Sequence, residues 1–274
     1  MAYLGTGDTV LVYEVKDSIR IGQFFPWIHS LAEAYDSLLH IHLSPQLLAQ
    51  ANPWLIDTFA QSDYYTQMQQ GHFVYDQQQY VVLQPGQRLR IPSPREAQVL
   101  EQLLAQVYID INLPEFALRL YQGDSLLYRF PVRIGQNREK YLPSEGKVVN
   151  LQTRTGRGFI SNINESPIYI NFETGKAYTH TRRDDGKTTL MPLIPSLEPE
   201  INGQCYGQLI HATTNPATLG KAYSHGCIGM REGDTWRLYF YVRRGTPIRI
   251  RYELQLVNEH GDTLLLPDVY GWAQ

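Results

Sequence analysis

Residues 107–134 read Val107-Tyr-Ile-Asp-Ile-Asn-Leu-Pro-Glu-Phe-Ala-Leu-Arg-Leu-Tyr-Gln-Gly-Asp-Ser-Leu-Leu-Tyr-Arg-Phe-Pro-Val-Arg-Ile134. Val107, Ile109 and Ile111 alternate with polar neighbours, and Phe116, Leu118 and Leu120 do the same. Gln122-Gly-Asp-Ser marks a turn, after which Leu126, Tyr128, Phe130, Val132 and Ile134 continue the period of two. A period of two puts alternate side chains on opposite faces of a strand, so this stretch predicts an antiparallel meander. Further strands are expected at Ile168–Phe172 and Gln208–His211, and one helix at Asp234–Val242 with Asp234 near its N-cap. Past the turn at Gly245-Thr-Pro247, residues Ile248, Ile250, Tyr252, Leu254 and Leu256 alternate again. His260-Gly-Asp-Thr-Leu-Leu-Leu reads as a last turn and strand. The predicted fold is mainly β with a few helices over 105–252, followed by a strand extension over 253–274.

The first 94 residues have a different pattern and read as a small α+β N-terminal module. Ile28–Leu39 and Pro45–Gln50 carry helical patterning, the second with Ser44 as cap and Pro45 at the first helical position. Tyr80–Pro92 reads as strand, Pro-Gly turn, strand. Pro92-Ser-Pro94 breaks the pattern, and 95–104 reads as a short helix or linker. No internal repeat or low-complexity segment is visible.

The 274 residues are 43% hydrophobic and 19% charged, ordinary for a globular chain and too apolar for wholesale disorder. A net charge of -3 gives the chain as a whole no pull toward nucleic acid or anionic membrane. No apolar run is long enough for a membrane span. The opening MAYLGTGDTV lacks the basic and apolar regions of a leader. Nineteen tyrosines lean toward strands and wet grooves. Two cysteines, Cys205 and Cys227, do not make a disulfide scaffold, and Cys205 is expected to be a small buried hydrophobe. His40 and His42 lack further residues at ligand spacing, so no metal is expected there. No cofactor is implied anywhere.

Chemistry is concentrated at Ser224-His225-Gly226-Cys227. A thiol with an imidazole nearby is suited to nucleophilic acyl transfer. His211 ends an apolar strand sixteen positions before Cys227 and is the candidate general base. His225 shares a face with Cys227 in an extended segment, where it either takes part in the chemistry or braces the loop. Backbone N–H groups of Gly226 and Cys227 are the candidate oxyanion donors. Arg231 either binds a substrate carboxylate or pairs with Glu232 or Asp234 at the helix start.

His211 followed by Ser224-His225-Gly226-Cys227-Ile228 resembles the signature of the L,D-transpeptidase (YkuD-domain) family. The resemblance extends over about residues 105–252 and includes Asp110, the Leu-Arg-Leu-Tyr-Gln-Gly run, Val132-Arg-Ile-Gly135 and Gly245-Thr-Pro-Ile-Arg-Ile. It implies a β-rich, sandwich-like catalytic domain that cross-links or trims bacterial peptidoglycan through a cysteine acyl-enzyme. Cys227 would be the nucleophile and His211 the base, oriented by the carbonyl of Ala212. Gly226 and Cys227 would form the oxyanion hole, and Ser224 and His225 would shape the loop. The partners implied are peptidoglycan stem peptides and glycan. The implied location is the cell envelope, periplasmic or secreted, reached through a leader that this chain does not show. Water in place of an amine acceptor would give an L,D-carboxypeptidase or endopeptidase. A wall-binding protein with a decayed catalytic domain is the non-enzymatic alternative, opposed by the intact His211/Cys227 pair.

The chain departs from the family at several points. Ala212 stands where glycine is usual, and Gly229 where arginine or asparagine is frequent, so Arg231 is the expected substitute cation. Leu142-Pro-Ser-Glu-Gly146 matches a family loop only loosely. The polar segment Gly156–Gln204, with Arg182-Arg-Asp-Asp-Gly186 at a turn, reads as a solvated hairpin or a lid. Residues 43–53 and 83–92 resemble, weakly, parts of a degenerate LysM-type glycan-binding module.

Overall fold

The computed structural model describes residues 11–143, 146–171, 174–257 and 261–273. The opening residues 1–10, Ser144 and Glu145 of the loosely matched loop, the end of the expected 168–172 strand and His260 lie outside the described residues.

The N-terminal module contains β1 (Leu11–Glu14), β2 (Ile19–Arg20), α1 (Ile21–Leu39), α2 (Pro45–Ala51), α3 (Pro53–Gln61), α4 (Tyr64–Gln69), β3 (Val81–Leu83) and β4 (Arg88–Ile91). Ser44 Oγ caps α2 by accepting from Leu47 N at 3.1 Å. α1 begins seven residues before the expected Ile28 and runs through Pro26. Burial of Ile21, Phe24 and Phe25 offsets the backbone bond that proline cannot make. Strands β3 and β4 do not pair with each other across the Pro-Gly turn. Instead β3 pairs β2 and β4 pairs β1.

α5 (Pro94–Ala105) turns the 95–104 segment into a full helix, with Ser93 Oγ accepting from Glu96 N at 3.4 Å. The meander follows as β5 (Val107–Asn112), β6 (Ala117–Gln122) and β7 (Ser125–Pro131), then β8 (Ile134–Gly135), β9 (Glu139–Leu142) and β10 (Lys147–Asn150). Two details differ from the simple alternation. Phe116 has φ +52 and belongs to the turn before β6. A register shift between Leu120 and Tyr121 leaves Leu126 exposed, because the extra residue Leu127 puts it on the face opposite Tyr128 and Phe130.

The polar segment is mostly structural. It holds β11 (Gly156–Asn164), β12 (His180–Arg182), β13 (Thr188–Leu190), β14 (Ser196–Ile201) and β15 (Gln204–Cys205). β11 and β14 are interior strands of the main sheet, whereas β12 and β13 form a separate hairpin. Among the described residues of the expected 168–172 strand, only Ile170 makes a bridge, to Ala177. Cys205 is exposed on the short edge strand β15, not buried, because β15 pairs only with β14. His42 is exposed and faces Asp36 at 3.4 Å.

The chain then forms β16 (Ile210–Ala212), β17 (Ala222–Ser224), β18 (Ile228–Met230), α6 (Glu232–Tyr239), β19 (Pro247–Arg251), β20 (Gln255–Val257) and β21 (Thr263–Leu265). The main sheet runs β18-β16-β14-β11-β19-β5-β6-β7, with β15 beside β14. It is mixed: β19 lies parallel to β5, and β16 parallel to β18. The fold is therefore mainly β, sandwich-like, with a helical N-terminal module.

α6 joins the two cores. Its Leu238, with Val242 just beyond, packs with Ile109, Ile111 and Ile210 of the sheet. Trp236, Tyr239 and Phe240 pack with Phe24, Phe25 and Phe59 of the N-terminal helices. Its N-terminus is capped from afar. Asp63, itself the N-cap of α4, accepts from Gly233 N at 3.0 Å, and Glu232 accepts from Tyr64 N at 2.9 Å. Arg231, not Asp234, occupies the N-cap position. Asp234 falls in the first turn, where its charge suits the helix dipole.

Candidate active site

Cys227 and His211 are brought together by the parallel pairing of β16 and β18. Ile210 lies beside Ile228, His211 beside Gly229 and Ala212 beside Met230. Cys227 is two residues before Gly229, so its side chain projects to the same face as His211. The thiol sulfur accepts from Leu209 N at 3.3 Å. Nδ1 of His211 is 2.8 Å from the Ala212 carbonyl oxygen. A carbonyl can only accept, so Nδ1 carries the proton and Nε2 keeps the lone pair a general base needs.

The loop before the thiol is held from three sides. Ser224 Oγ donates to the Cys227 carbonyl at 2.5 Å and accepts from Gly226 N at 3.2 Å. Gly226 has φ +112, a conformation that other L-residues adopt only with strain. Its carbonyl accepts from Thr153 Oγ1 at 2.9 Å, and that oxygen accepts in turn from Gly135 N at 2.9 Å. Tyr270, from the C-terminal extension, donates to the Gly135 carbonyl at 2.8 Å and accepts from Thr153 N at 3.1 Å. Gly135 has no room for a side chain: a Cβ there would lie 2.0 Å from the Leu151 carbonyl oxygen. This brace joins parts of the chain far apart in sequence, and no local pattern announced it.

A cleft of about 390 Å³ opens on the pair, lined by Arg133, Ile170, Asn171, Tyr178, His211, Tyr223, Ser224, His225 and Cys227. His225 thus faces the same cleft as the thiol. Ile170, Asn171 and Tyr178 come from the polar segment, which contributes a wall here in addition to its sheet strands. A larger cavity, about 530 Å³ near Tyr108 and Tyr121, holds no thiol or imidazole. Arg231 lines a third cavity with Asp63, Asp234 and Arg237, away from the thiol. At the strand end, residue 231 turns into the N-cap position of α6 and leaves the face that carries Cys227 and His211. Among the described residues, no group of three or more His, Cys, Asp or Glu side chains could hold a metal.

Among the described residues, Arg133 is the arginine or lysine lining the cleft, and sequence reasoning missed it. Its backbone pairs with Gly229 on the edge opposite His211, with Arg133 N to Gly229 O at 2.9 Å and the reverse bond at 3.0 Å. Its side chain leans over Gly229, where an added Cβ would lie 2.5 Å from Arg133 Nε. The signal was present in two halves: a glycine where a cationic residue is frequent, and an arginine beside it in space but ninety-six positions earlier.

Burial, followed by the charge of Arg133, lowers His211 to about 4, although its bond to the Ala212 carbonyl acts the other way. Burial raises the Cys227 thiol, opposed by the Leu209 N–H and Arg133. At neutral pH the resting pair is therefore a thiol beside a neutral imidazole. Because the thiolate forms only as pH rises, alkylation of Cys227 by iodoacetamide is expected to be slow at pH 7 and to keep climbing past pH 9. A rate plateau reached below pH 6 would instead reveal a resting thiolate–imidazolium pair. Stability follows the same sign. Neutral His211 favours the fold fully above about pH 6.5, and that contribution is lost as pH falls toward about 4.

Comparison with known proteins assigns the family. The L,D-transpeptidase catalytic domain (YkuD) matches residues 106–250, just over half of the chain. The chain belongs to the L,D-transpeptidase catalytic-domain family. It is 28% identical over 165 residues to an L,D-transpeptidase YkuD of Bacillus licheniformis, covering 60% of this chain and 74% of that protein. To the Bacillus subtilis YkuD it is 46% identical over 50 residues, 18% of this chain and 29% of that one. A solved L,D-transpeptidase from Mycobacterium smegmatis is 15% identical with TM-score 0.35, over 53% of this chain and 58% of that one.

Proposed function

We propose that this protein is a cysteine acyltransferase acting on peptidoglycan stem peptides in the cell envelope. The single observation that supports this most is the β16–β18 pairing, which sets a buried thiol and an Nδ1-protonated imidazole on one face of a cleft. His211 Nε2 takes the thiol proton as Cys227 attacks the carbonyl before the terminal D-alanine of a tetrapeptide stem. The Cys227 N–H supports the oxyanion, and the Gly226 N–H joins it by leaving Ser224 Oγ. Collapse breaks the C–N bond, and the imidazolium gives its proton to the departing amine. The neutral imidazole then deprotonates an amine acceptor, which attacks the thioester, and the thiol is regenerated.

Product analysis of a disaccharide-tetrapeptide with and without an amine acceptor tests this reading. The expected result is released D-alanine together with a new amide that requires the acceptor. Tripeptide alone, at the same rate with or without amine, would establish a carboxypeptidase instead. No turnover by folded, reduced protein would refute the enzymatic reading.

A further inference from the structure

Laterally, the site reads His211, Gly229, Arg133 across three adjacent extended segments. All three residues address the face that carries Cys227, and the middle one has no side chain. Arg133 fills that space, so its guanidinium leans toward the reacting pair. Its Nη1 donates to Thr218 Oγ1 at 3.3 Å, while Nε is buried and makes no hydrogen bond. A buried guanidinium N–H without an acceptor is costly, and the unused Nε edge has the shape that receives two carboxylate oxygens. Among the described residues, no carboxylate lines the cleft. Asp184, the acid whose charge reaches Arg133, already accepts from Ala217 N at 2.7 Å.

We propose that Arg133 is the substrate-carboxylate anchor of this site, holding the free carboxylate of the residue that acyl transfer expels. The inference rests on the acyl-transfer reading above and adds its donor specificity. Distance favours the expelled residue. Neighbouring strands are about 4.8 Å apart, and Arg133 leans across the first spacing from Gly229. A carboxylate one residue beyond the scissile carbonyl is about one Cα step, roughly 3.8 Å, further along the peptide. In this chain the cation comes from the segment before β8, not from position 229 or from Arg231.

The test compares kcat/KM for one donor peptide with a free C-terminal carboxylate and for the same peptide as its C-terminal amide. The wild-type chain, Arg133→Ala, Arg133→Lys, Gly229→Arg and the Arg133→Ala/Gly229→Arg double variant are used whole. Wild type is expected to favour the acid by on the order of 10²-fold, carried largely in KM. Arg133→Ala brings the preference to within a few-fold, and Arg133→Lys, which keeps the charge but not the paired edge, falls between. Gly229→Arg alone collides with Arg133, whereas the double variant regains a preference of at least about tenfold. A merely structural role would lower both donors together and would not be rescued by moving the cation. Equal rates for acid and amide in wild type, with Cys227 acylated by both, would overturn this inference alone. Neither donor acylating wild type would overturn the acyl-transfer reading and this inference with it.

Discussion

Replacement of Cys227 by alanine is expected to lower release of D-alanine by roughly 10⁴-fold or more, because among the described residues no other thiol lines the cleft beside His211. Ser224 does line it, but its hydroxyl donates to the Cys227 carbonyl and accepts from Gly226 N, and it holds the loop rather than the substrate. The fold should persist. Only the thiol group is lost, and the Leu209 N–H loses one acceptor, a cost of about 1 kcal/mol. Circular dichroism and thermal melting of the variant separate loss of chemistry from loss of fold. Retention of more than a tenth of wild-type turnover would remove Cys227 from the mechanism.

The second large effect lies well outside the cleft. Glu232, five residues after Cys227, is 1% exposed and forms an ion pair with Arg183, which is 2% exposed. Its carboxylate also accepts from Tyr64 N at 2.9 Å and Gln77 Nε2 at 2.8 Å. Arg183 is further held by Thr189 Oγ1 at 2.9 Å and Gln77 Oε1 at 3.1 Å, and its guanidinium stacks over Tyr64 at 4.3 Å. Glu232→Ala leaves that guanidinium buried and uncompensated, which costs about 3–5 kcal/mol. For a chain of this size the melting temperature should fall by on the order of 10 °C. The loss should reach activity too, since β18 runs directly into α6 and Glu232 fixes that junction against the N-terminal module. A fall of less than about 2 °C would mean that the network does not hold the two cores together.

These residues mark what was legible in the sequence. The strands of the meander were, because a sheet with one buried face writes a period of two into local sequence. Ser44 as the cap of α2 was legible for the same reason, since cap and helix are contiguous. The thiol and its imidazole were legible as a pair because Ser224-His225-Gly226-Cys227 is contiguous and His211 lies only sixteen positions upstream. Elements fixed by distant partners were not. The start of α1 lies on the far side of Pro26, where local rules place a boundary and tertiary burial overrides them. The cap of α6 comes from Asp63, and the acid after that cap pairs with Arg183. Arg133 looks like the polar member of an alternating strand until its pairing with Gly229 is known. The polar character of 156–204 concealed two interior strands. β11 crosses the sheet with Gly158 because backbone approaches too closely for a side chain: a Cβ there would lie 1.7 Å from the Glu200 carbonyl oxygen.

The N-terminal module takes its meaning from the same contacts. Trp236 and Phe240 are fully buried against Phe59. Thus α6, which follows the strand after Cys227, is half built into the module.

The central claim is that Cys227 carries the acyl group, and intact-protein mass spectrometry tests it directly. Wild-type chain is mixed with a disaccharide-tetrapeptide, quenched in acid within the first turnovers and digested for peptide mapping. The expected result is a mass increase equal to the donor minus D-alanine, located on the peptide containing Cys227 and discharged by an amine acceptor. Turnover that proceeds with Cys227 unmodified, or an adduct found only on the exposed Cys205, would contradict it.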